Sequence, residues 1–494
     1  MFQSEALEIL HSGASVYLTG APGAGKTYVL NDFINASRKD GLSVAVTAST
    51  GIAATHINGQ TIHSWSGLGI STALSEPVLK RIMTRRRKAI KNADILVIDE
   101  VSMIHAWLFD IVDEICRRAR KNDMPFGGLQ VVISGDFFQL PPVSVSTRNE
   151  DLLGTSVEMV QSREKYAAAG KNREGFITES FAWDALNPVV CYLTEQHRQD
   201  DGRLLSVLTS IREGSVSQDD YETIAGRIGA MYDETQAITH LFPSNKQADS
   251  LNDMRLTLLR NEAHTFVATS AGPTQLVERL KKNMLAPQEL VLKEGASVMA
   301  LRNDSDKQYV NGSLGIVKSF TSQSKGGWPI VEFDNGHVVT MKPADWEITD
   351  AEVVLATVSQ VPLRCAWGIT IHKSQGMTLD RAVMDLRRTF APGMGYVAMS
   401  RVQGLEGLYL QGVSDRAFLV SDDAVLLDAQ LRANSAAAAA VLDKDGSFEV
   451  KRLQGASQGV RISAHGAIVG SGASSSSGSI GAQGDDEFSQ GALF

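Results

Sequence analysis

Cysteine is scarce. The 494 residues hold three, Cys116, Cys191 and Cys365. They stand far apart in no metal-ligand spacing, which excludes a disulfide scaffold or a zinc ribbon and predicts reduced core thiols. Long apolar runs are also missing: none approaches the roughly 18 residues of a membrane-spanning helix. The opening Met1-Phe2-Gln3-Ser4-Glu5 lacks the basic and apolar regions of a secretory signal. A cytoplasmic protein with no membrane partner is therefore expected. Excess positive charge is absent as well, the net charge being −9. That argues against a polyanionic partner only if charge is averaged, because a local basic groove binds phosphates on an acidic protein. No repeat of solenoid period occurs.

What is present is ordinary globular composition, 43% hydrophobic and 21% charged, in a chain long enough for two or three domains. Its most informative stretch is Gly20-Ala21-Pro22-Gly23-Ala24-Gly25-Lys26-Thr27, which meets every fixed position of the phosphate loop G-x-x-x-x-G-K-[ST]. Ser15-Val16-Tyr17-Leu18-Thr19 reads as a buried strand entering the loop, and 27–36 as the helix leaving it. Glycines let the backbone wrap phosphates, and N–H groups at the helix start point at them. Lys26 then reaches the β- and γ-phosphates, and the Thr27 hydroxyl is placed to hold magnesium.

Apolar runs at Val44-Ala45-Val46, Ile95-Leu96-Val97-Ile98 and Val131-Val132-Ile133 alternate with helical patterns such as 108–120. This predicts a parallel sheet wrapped by helices, with functional loops at the carboxyl ends of its strands. Each run ends in a polar cluster: Thr47-Ala48-Ser49-Thr50, Asp99-Glu100 and Ser134-Gly135-Asp136. Beside a phosphate loop, Asp99 reads as the metal-side carboxylate and Glu100 as the base that orients water. Gln139 suits a reporter of the γ-phosphate, and Arg198 and Arg401 suit transition-state charge stabilisation, although spacing alone does not select them.

A second α/β unit is expected from Val189-Val190-Cys191-Tyr192, with strands at 238–242 and 382–386. Within it, 295–348 turns β-rich. Runs such as Ser297-Val298-Met299-Ala300-Leu301 and Ile330-Val331-Glu332-Phe333 are separated by the hairpin signals Asn311-Gly312 and Asp334-Asn335-Gly336. A small inserted β-barrel is predicted. The polar stretch 144–180 reads as a long connection. From 433 onward, alanine and Gly/Ser-rich sequence predicts a flexible tail.

In order along residues 1–432, the motifs resemble those of superfamily-one DNA helicases, most closely the PIF (petite integration frequency) family of the RecD-like branch. After the phosphate loop come Thr47-Ala48-Ser49-Thr50-Gly51-Ile52-Ala53-Ala54, Thr61-Ile62-His63-Ser64 and Ile98-Asp99-Glu100-Val101-Ser102-Met103. Gly135-Asp136-Phe137-Phe138-Gln139-Leu140-Pro141-Pro142-Val143 and Leu193-Thr194-Glu195-Gln196-His197-Arg198-Gln199 follow. The set closes with Ile371-His372-Lys373-Ser374-Gln375-Gly376-Met377-Thr378 and Tyr396-Val397-Ala398-Met399-Ser400-Arg401.

The resemblance implies two RecA-like P-loop domains with an inserted small β-barrel and a disordered C-terminal tail. Its domains would be 1–190 (with a wedge-type insertion at about 56–90), 191–294 with 349–432, the barrel 295–348, and the tail 433–494. ATP with Mg2+ would sit between the two domains. Gln3 would read adenine, and Gly20, Pro22, Gly23, Ala24, Gly25, Lys26 and Thr27 would cradle the phosphates. Thr27 and Asp99 would hold the metal, and Lys26, Glu100, Gln139, Arg198 and Arg401 would act on the γ-phosphate. Thr50, Gly51, His63, Pro141, Asn245, His372, Lys373 and Gln375 would grip single-stranded DNA, their hydroxyls and amides suiting sequence-independent contacts. Ser64-Trp65 and Phe137-Phe138 read equally well as core aromatics. Arg85-Arg86-Arg87-Lys88 lies where this branch inserts its strand-separating wedge, and Tyr309-Val310-Asn311-Gly312-Ser313-Leu314-Gly315 matches the N-G-x-x-G pattern of the barrel, of the Src-homology-three type.

The implied activity is ATP-dependent, five-prime to three-prime unwinding of forked or tailed duplex, in replication, repair or recombination, by a monomer at the bacterial nucleoid. Two alternatives stay open: a RecD-like subunit of a nuclease complex, although no acidic nuclease cluster is apparent, and a DNA-dependent ATPase that remodels partners without unwinding. The end Gln490-Gly491-Ala492-Leu493-Phe494 resembles the Q-x-x-L-F peptide that docks on the sliding clamp, with Gln490 as polar anchor and Leu493 and Phe494 as apolar ones. Asp485-Asp486-Glu487-Phe488 resembles instead the acidic tip of single-stranded DNA-binding proteins.

Overall fold

The structure is a computed structural model. It describes residues 1–445 except 70, 143–156, 196–201, 233–237, 285, 303, 305–307, 310 and 351–352; beyond 445 it describes only four two-residue strands between 452 and 469.

The first sheet has six parallel strands: β1 (Val16–Gly20), β2 (Val44–Ala48), β3 (Gln60–Thr61), β4 (Ile95–Asp99), β5 (Gln130–Ser134) and β6 (Val189–Leu193). Their order is β3–β2–β4–β5–β1–β6. Successive side chains of a strand point to opposite faces, and the two cores divide accordingly. Val16, Leu18, Val97 and Val132 pack with Val29, Leu30 and Phe33 of helix Lys26–Lys39. Tyr17, Leu96, Ile98 and Ile133 pack with Trp107, Leu108 and Val112 of helix Ala106–Arg120. Burial on both faces explains the continuous apolar runs.

Three expectations about this part are corrected. The strand Val189–Leu193 does not open the second unit; it is the edge of the first sheet, paired in parallel with β1 from Val16–Val189 to Gly20–Leu193. A fully buried run signals a strand without saying which sheet takes it. The polar stretch 144–180 is not one long loop in its described part. It contains helix Val157–Ala168, whose buried Tyr166 donates to Asp110 (2.6 Å), and the buried Phe176 and Ile177 beyond it. The chain is also not a tail from residue 433. Helix Asp422–Asp445 runs through the alanine run and returns to the first sheet, burying Ala438 and Leu442 in its core. Ser435 Oγ accepts from the Tyr192 amide (2.9 Å). Alanine forms helix best and lets helix and sheet approach closely.

The second sheet is a separate four-stranded parallel layer, ordered Gly368–Thr370, Thr239–Phe242, Ala382–Leu386, Leu408–Val413. Between its first two strands in sequence lies antiparallel structure. The antiparallel strands span more than the expected 295–348, from Ala263–Val267 to Leu363–Cys365. A five-stranded sheet is its largest part, around Val298, Val317, Val331 and Phe333. Asp334-Asn335-Gly336 makes the expected tight turn, with Gly336 at φ 84° and the Phe333 amide donating to His337 O (2.9 Å). Asn311-Gly312 instead lies within a longer connection between Ser297–Ala300 and Leu314–Phe320.

Candidate nucleotide site between two parallel sheets

The loop 20–27 leaves β1, an interior strand beside the edge strand β6, and enters helix Lys26–Lys39 through Gly25, at φ 85°. Gly20 is required by close approach, since a Cβ there would lie 2.8 Å from Leu193 O at φ 147°. Lys26 folds over its own loop and donates to Gly20 O (2.7 Å) and Ala21 O (3.1 Å). Burial lowers its pKa. Gln3, at the start of helix Gln3–His11, donates from Nε2 to Ala24 O (3.2 Å), so the residue expected to read the base stands beside the phosphate loop.

At the end of β4 the acid pair is half-buried. Desolvation raises the Asp99 pKa against the Ser134 hydrogen bond and the Lys26 charge. Glu100 sits in the left-handed region at φ 51°. Its carboxyl is pushed up to about 7, first by desolvation and then by the Asp99 charge, while Arg401, Gln375 and Lys26 act in the opposite sense. A non-glycine residue at positive φ carries strain of the kind found at functional turns.

Two of those partners belong to the second unit. Arg401 is buried and donates to Val397 O (2.9 Å), Met377 O (3.2 Å) and Ser400 Oγ (2.7 Å). Gln375 donates from Nε2 to Glu100 Oε2 (2.9 Å). Gln139 is buried, and its Oε1 has no hydrogen-bond partner among the described residues. Its backbone lies against the second unit: a Cβ on Gly393 (φ 80°) would meet Phe138 O at 2.7 Å and Gln139 O at 2.8 Å. The charges of Lys26, Asp99, Glu100 and Arg401 thus act on one another where the two units meet, and the Gln139 backbone lies on the same side of the first unit, against Gly393. Arg198 lies outside the described residues, as do Gln490, Leu493 and Phe494.

The residues expected on DNA divide. Asn245, exposed, accepts from Lys373 Nζ (3.1 Å), and His372 stacks on the exposed Phe390. These form one patch. Thr50 caps helix Gly51–His56, accepting from the Ala53 amide (3.2 Å). A Cβ on Gly51 would lie 2.9 Å from Asn311 Nδ2, so the inserted strands reach this turn. His63 is half-buried near His105, and desolvation lowers its pKa. Pro141 is half-buried. Gln375 is a correction: expected at the strand, it is only 3% exposed and faces the acid pair. Trp65, Phe137 and Phe138 are core aromatics.

Sequence reasoning missed Arg212. It ends helix Arg203–Arg212 on the buried face carrying Leu204, Val207, Leu208 and Ile211. Its Nη1 donates to both oxygens of Asp136 (2.7 Å each) and to Tyr396 Oη (2.8 Å), and Nη2 donates to Tyr192 Oη (2.7 Å). The guanidinium lies 4.2 Å from the Phe138 ring centre. The available signal was an arginine four residues after Leu208, in the apolar stripe.

A phosphate loop beside a half-buried acid pair, with a cation and an amide supplied by the unit built on a second parallel sheet, defines a nucleoside-triphosphatase motor of the two-unit kind. Comparisons narrow the class. The family model for PIF1-like helicase matches residues 4–168, and that for the DNA helicase Pif1 2B domain matches 275–320. The ATP-dependent DNA helicase Pif1 of Psychrobacter is 38% identical, covering 84% of this chain and 68% of that protein. That of Bdellovibrio bacteriovorus is 32% identical over 85% and 89%. The crystal structure of Pif1 helicase from Candida albicans superposes with TM-score 0.77 at 31% identity, covering 87% of this chain and 98% of that one. Bacteroides Pif1 bound to ssDNA gives 0.69 at 27%, over 88% and 97%. The chain belongs to the Pif1 helicase family. No described helix is long and apolar enough to cross a membrane.

Proposed function

We propose that this protein is an ATP-dependent DNA helicase that moves five-prime to three-prime along single-stranded DNA and opens forked or tailed duplex. The observation that carries the reading is the contact of Gln375, from the second unit, with Glu100 of the first, beside Arg401. Hydrolytic competence then depends on how the two units sit, and a strand bound across both can set that. The parallel sheets are read as RecA-like domains. The inserted antiparallel strands are read as a small barrel closing over the tracked strand, and helices Glu76–Arg85 and Arg87–Asn92, with the basic run 85–88, as the wedge.

In this reading Lys26 and the loop amides bind the β- and γ-phosphates, Glu100 takes a proton from the attacking water, and Gln139 reports the γ-phosphate. Arg401, with Arg198, offsets charge as the terminal phosphoryl group departs. Thr27 and Asp99 offer a hydroxyl and a carboxylate, a donor set that fits magnesium completed by phosphate oxygens and water. Bound there, the ion would neutralise phosphate charge. The motor is read as a single chain at the bacterial nucleoid, working in replication, repair or recombination. Its last five residues are read as a clamp-docking peptide, and titrating that labelled peptide against the sliding clamp tests the assignment: saturable binding supports it, none removes it.

The deciding experiment compares five-prime-tailed, three-prime-tailed and forked duplexes, with ATP or a non-hydrolysable analogue. Unwinding of five-prime-tailed and forked substrates with ATP alone is expected. Strand-stimulated ATPase without unwinding would favour a remodelling ATPase, and unwinding only from three-prime tails would reverse the polarity.

A further inference from the structure

Gln375 holds a position that its expected role on DNA does not explain. It follows the turn Ile371–Ser374, whose His372 and Lys373 form the surface patch with Asn245 and Phe390. Its side chain turns inward. Nε2 donates to Glu100 Oε2 (2.9 Å) and to Ser102 Oγ (3.4 Å). Oε1 is buried and has no hydrogen-bond partner among the described residues. An orphaned buried acceptor costs free energy unless a bound donor satisfies it. Its donor end is already committed to the group that accepts a proton from water.

We propose that Gln375 is a second water-positioning residue for ATP hydrolysis, supplied by the second unit. The inference rests on the helicase reading. One end of the amide fixes the Glu100 carboxylate, and the other accepts a hydrogen bond from the attacking water, which is thereby held by two groups rather than one. The water oxygen bonds to the γ-phosphorus as the bond to the β–γ bridging oxygen breaks, and the proton passes to Glu100, not to the amide. Because His372 and Lys373 stand on the same short turn, a strand gripped there sets the amide relative to Glu100. Two points on the water also demand closer alignment than one, which is where orientation contributes most to rate.

The test uses Gln375→Leu, similar in size and without polar atoms, and Gln375→Asn, one methylene too short to reach Glu100. In both, kcat at saturating single-stranded DNA should fall about a hundredfold, as when one pre-set polar group is removed from a reacting centre. KM for ATP and Kd for the strand should stay within about threefold, because ground-state contacts remain. Adding Gln375→Leu to Glu100→Gln should cost little beyond Glu100→Gln alone, since both act on the same water. Unchanged kcat in the single variants would overturn the proposal, as would weakened strand binding with kcat restored at saturation, or full additivity in the double variant. A wild-type chain lacking strand-stimulated ATPase would remove the helicase reading itself, so the two failures are told apart.

Discussion

Lys26 and Glu100 separate binding from turnover at the scale of single residues. Lys26→Ala removes the ammonium folded over the phosphate loop and should abolish ATPase activity. Glu100→Gln keeps the fold and should keep ATP and strand binding while reducing hydrolysis to a small residual rate; near-normal turnover would reassign the base. Lys373 makes a different prediction. Burial brings its ammonium down to about 8, with the Arg364 charge adding to the shift. The cation is therefore present at neutral pH and is lost as pH rises through that value. Strand affinity should weaken between about pH 7 and 9 in fluorescence-anisotropy titrations, and Lys373→Arg, whose guanidinium does not deprotonate, should abolish that dependence. The phosphate loop was legible because backbone requirements force its letters: Gly20 where a Cβ would collide, and Gly23 and Gly25 at positive φ. Gln375 was misread because its motif marks a turn with one side at the surface and the other toward Glu100, and only the side-chain torsions say which way each residue points.

Elements tell of connections that no local pattern contains. Arg212 ties helix Arg203–Arg212 to Asp136 after β5 and to Tyr396 on helix Met394–Met399, joining the turn of Gln139 to the helix leading to Arg401. Arg212→Ala would leave Asp136, 0% exposed, as an unpaired buried charge. Breaking such a pair by removing one partner costs about 3–5 kcal/mol, so a clear loss of denaturant midpoint is expected. Tyr396→Phe keeps the ring and should cost about 1 kcal/mol. Helix Asp422–Asp445 supplies a second contrast. A chain ending at 445 should unfold like the full protein, whereas one ending at 432 loses Ser435, Ala438 and Leu442 from the first sheet and should be measurably less stable. Composition alone placed that boundary too early, because an alanine run reads as low complexity until a sheet is found for it to cover.

The whole molecule has one chain path that orders everything above. From β6 the chain passes to the second parallel sheet and the inserted strands, then comes back through helix Asp422–Asp445 to lie on β6 again. The amino-terminal ammonium donates to Tyr192 O (3.2 Å) on that same strand. Met1 and helix Asp422–Asp445 therefore both contact the sheet that carries the phosphate loop. Pulled in an optical trap by handles at Met1 and just beyond Asp445, the protein should bear load first across β6 and its neighbours. A handle on an exposed residue of the second sheet, paired with either end, would instead pull across the contact of Gln375 with Glu100, and the force at which strand-stimulated ATPase stops would report on that contact.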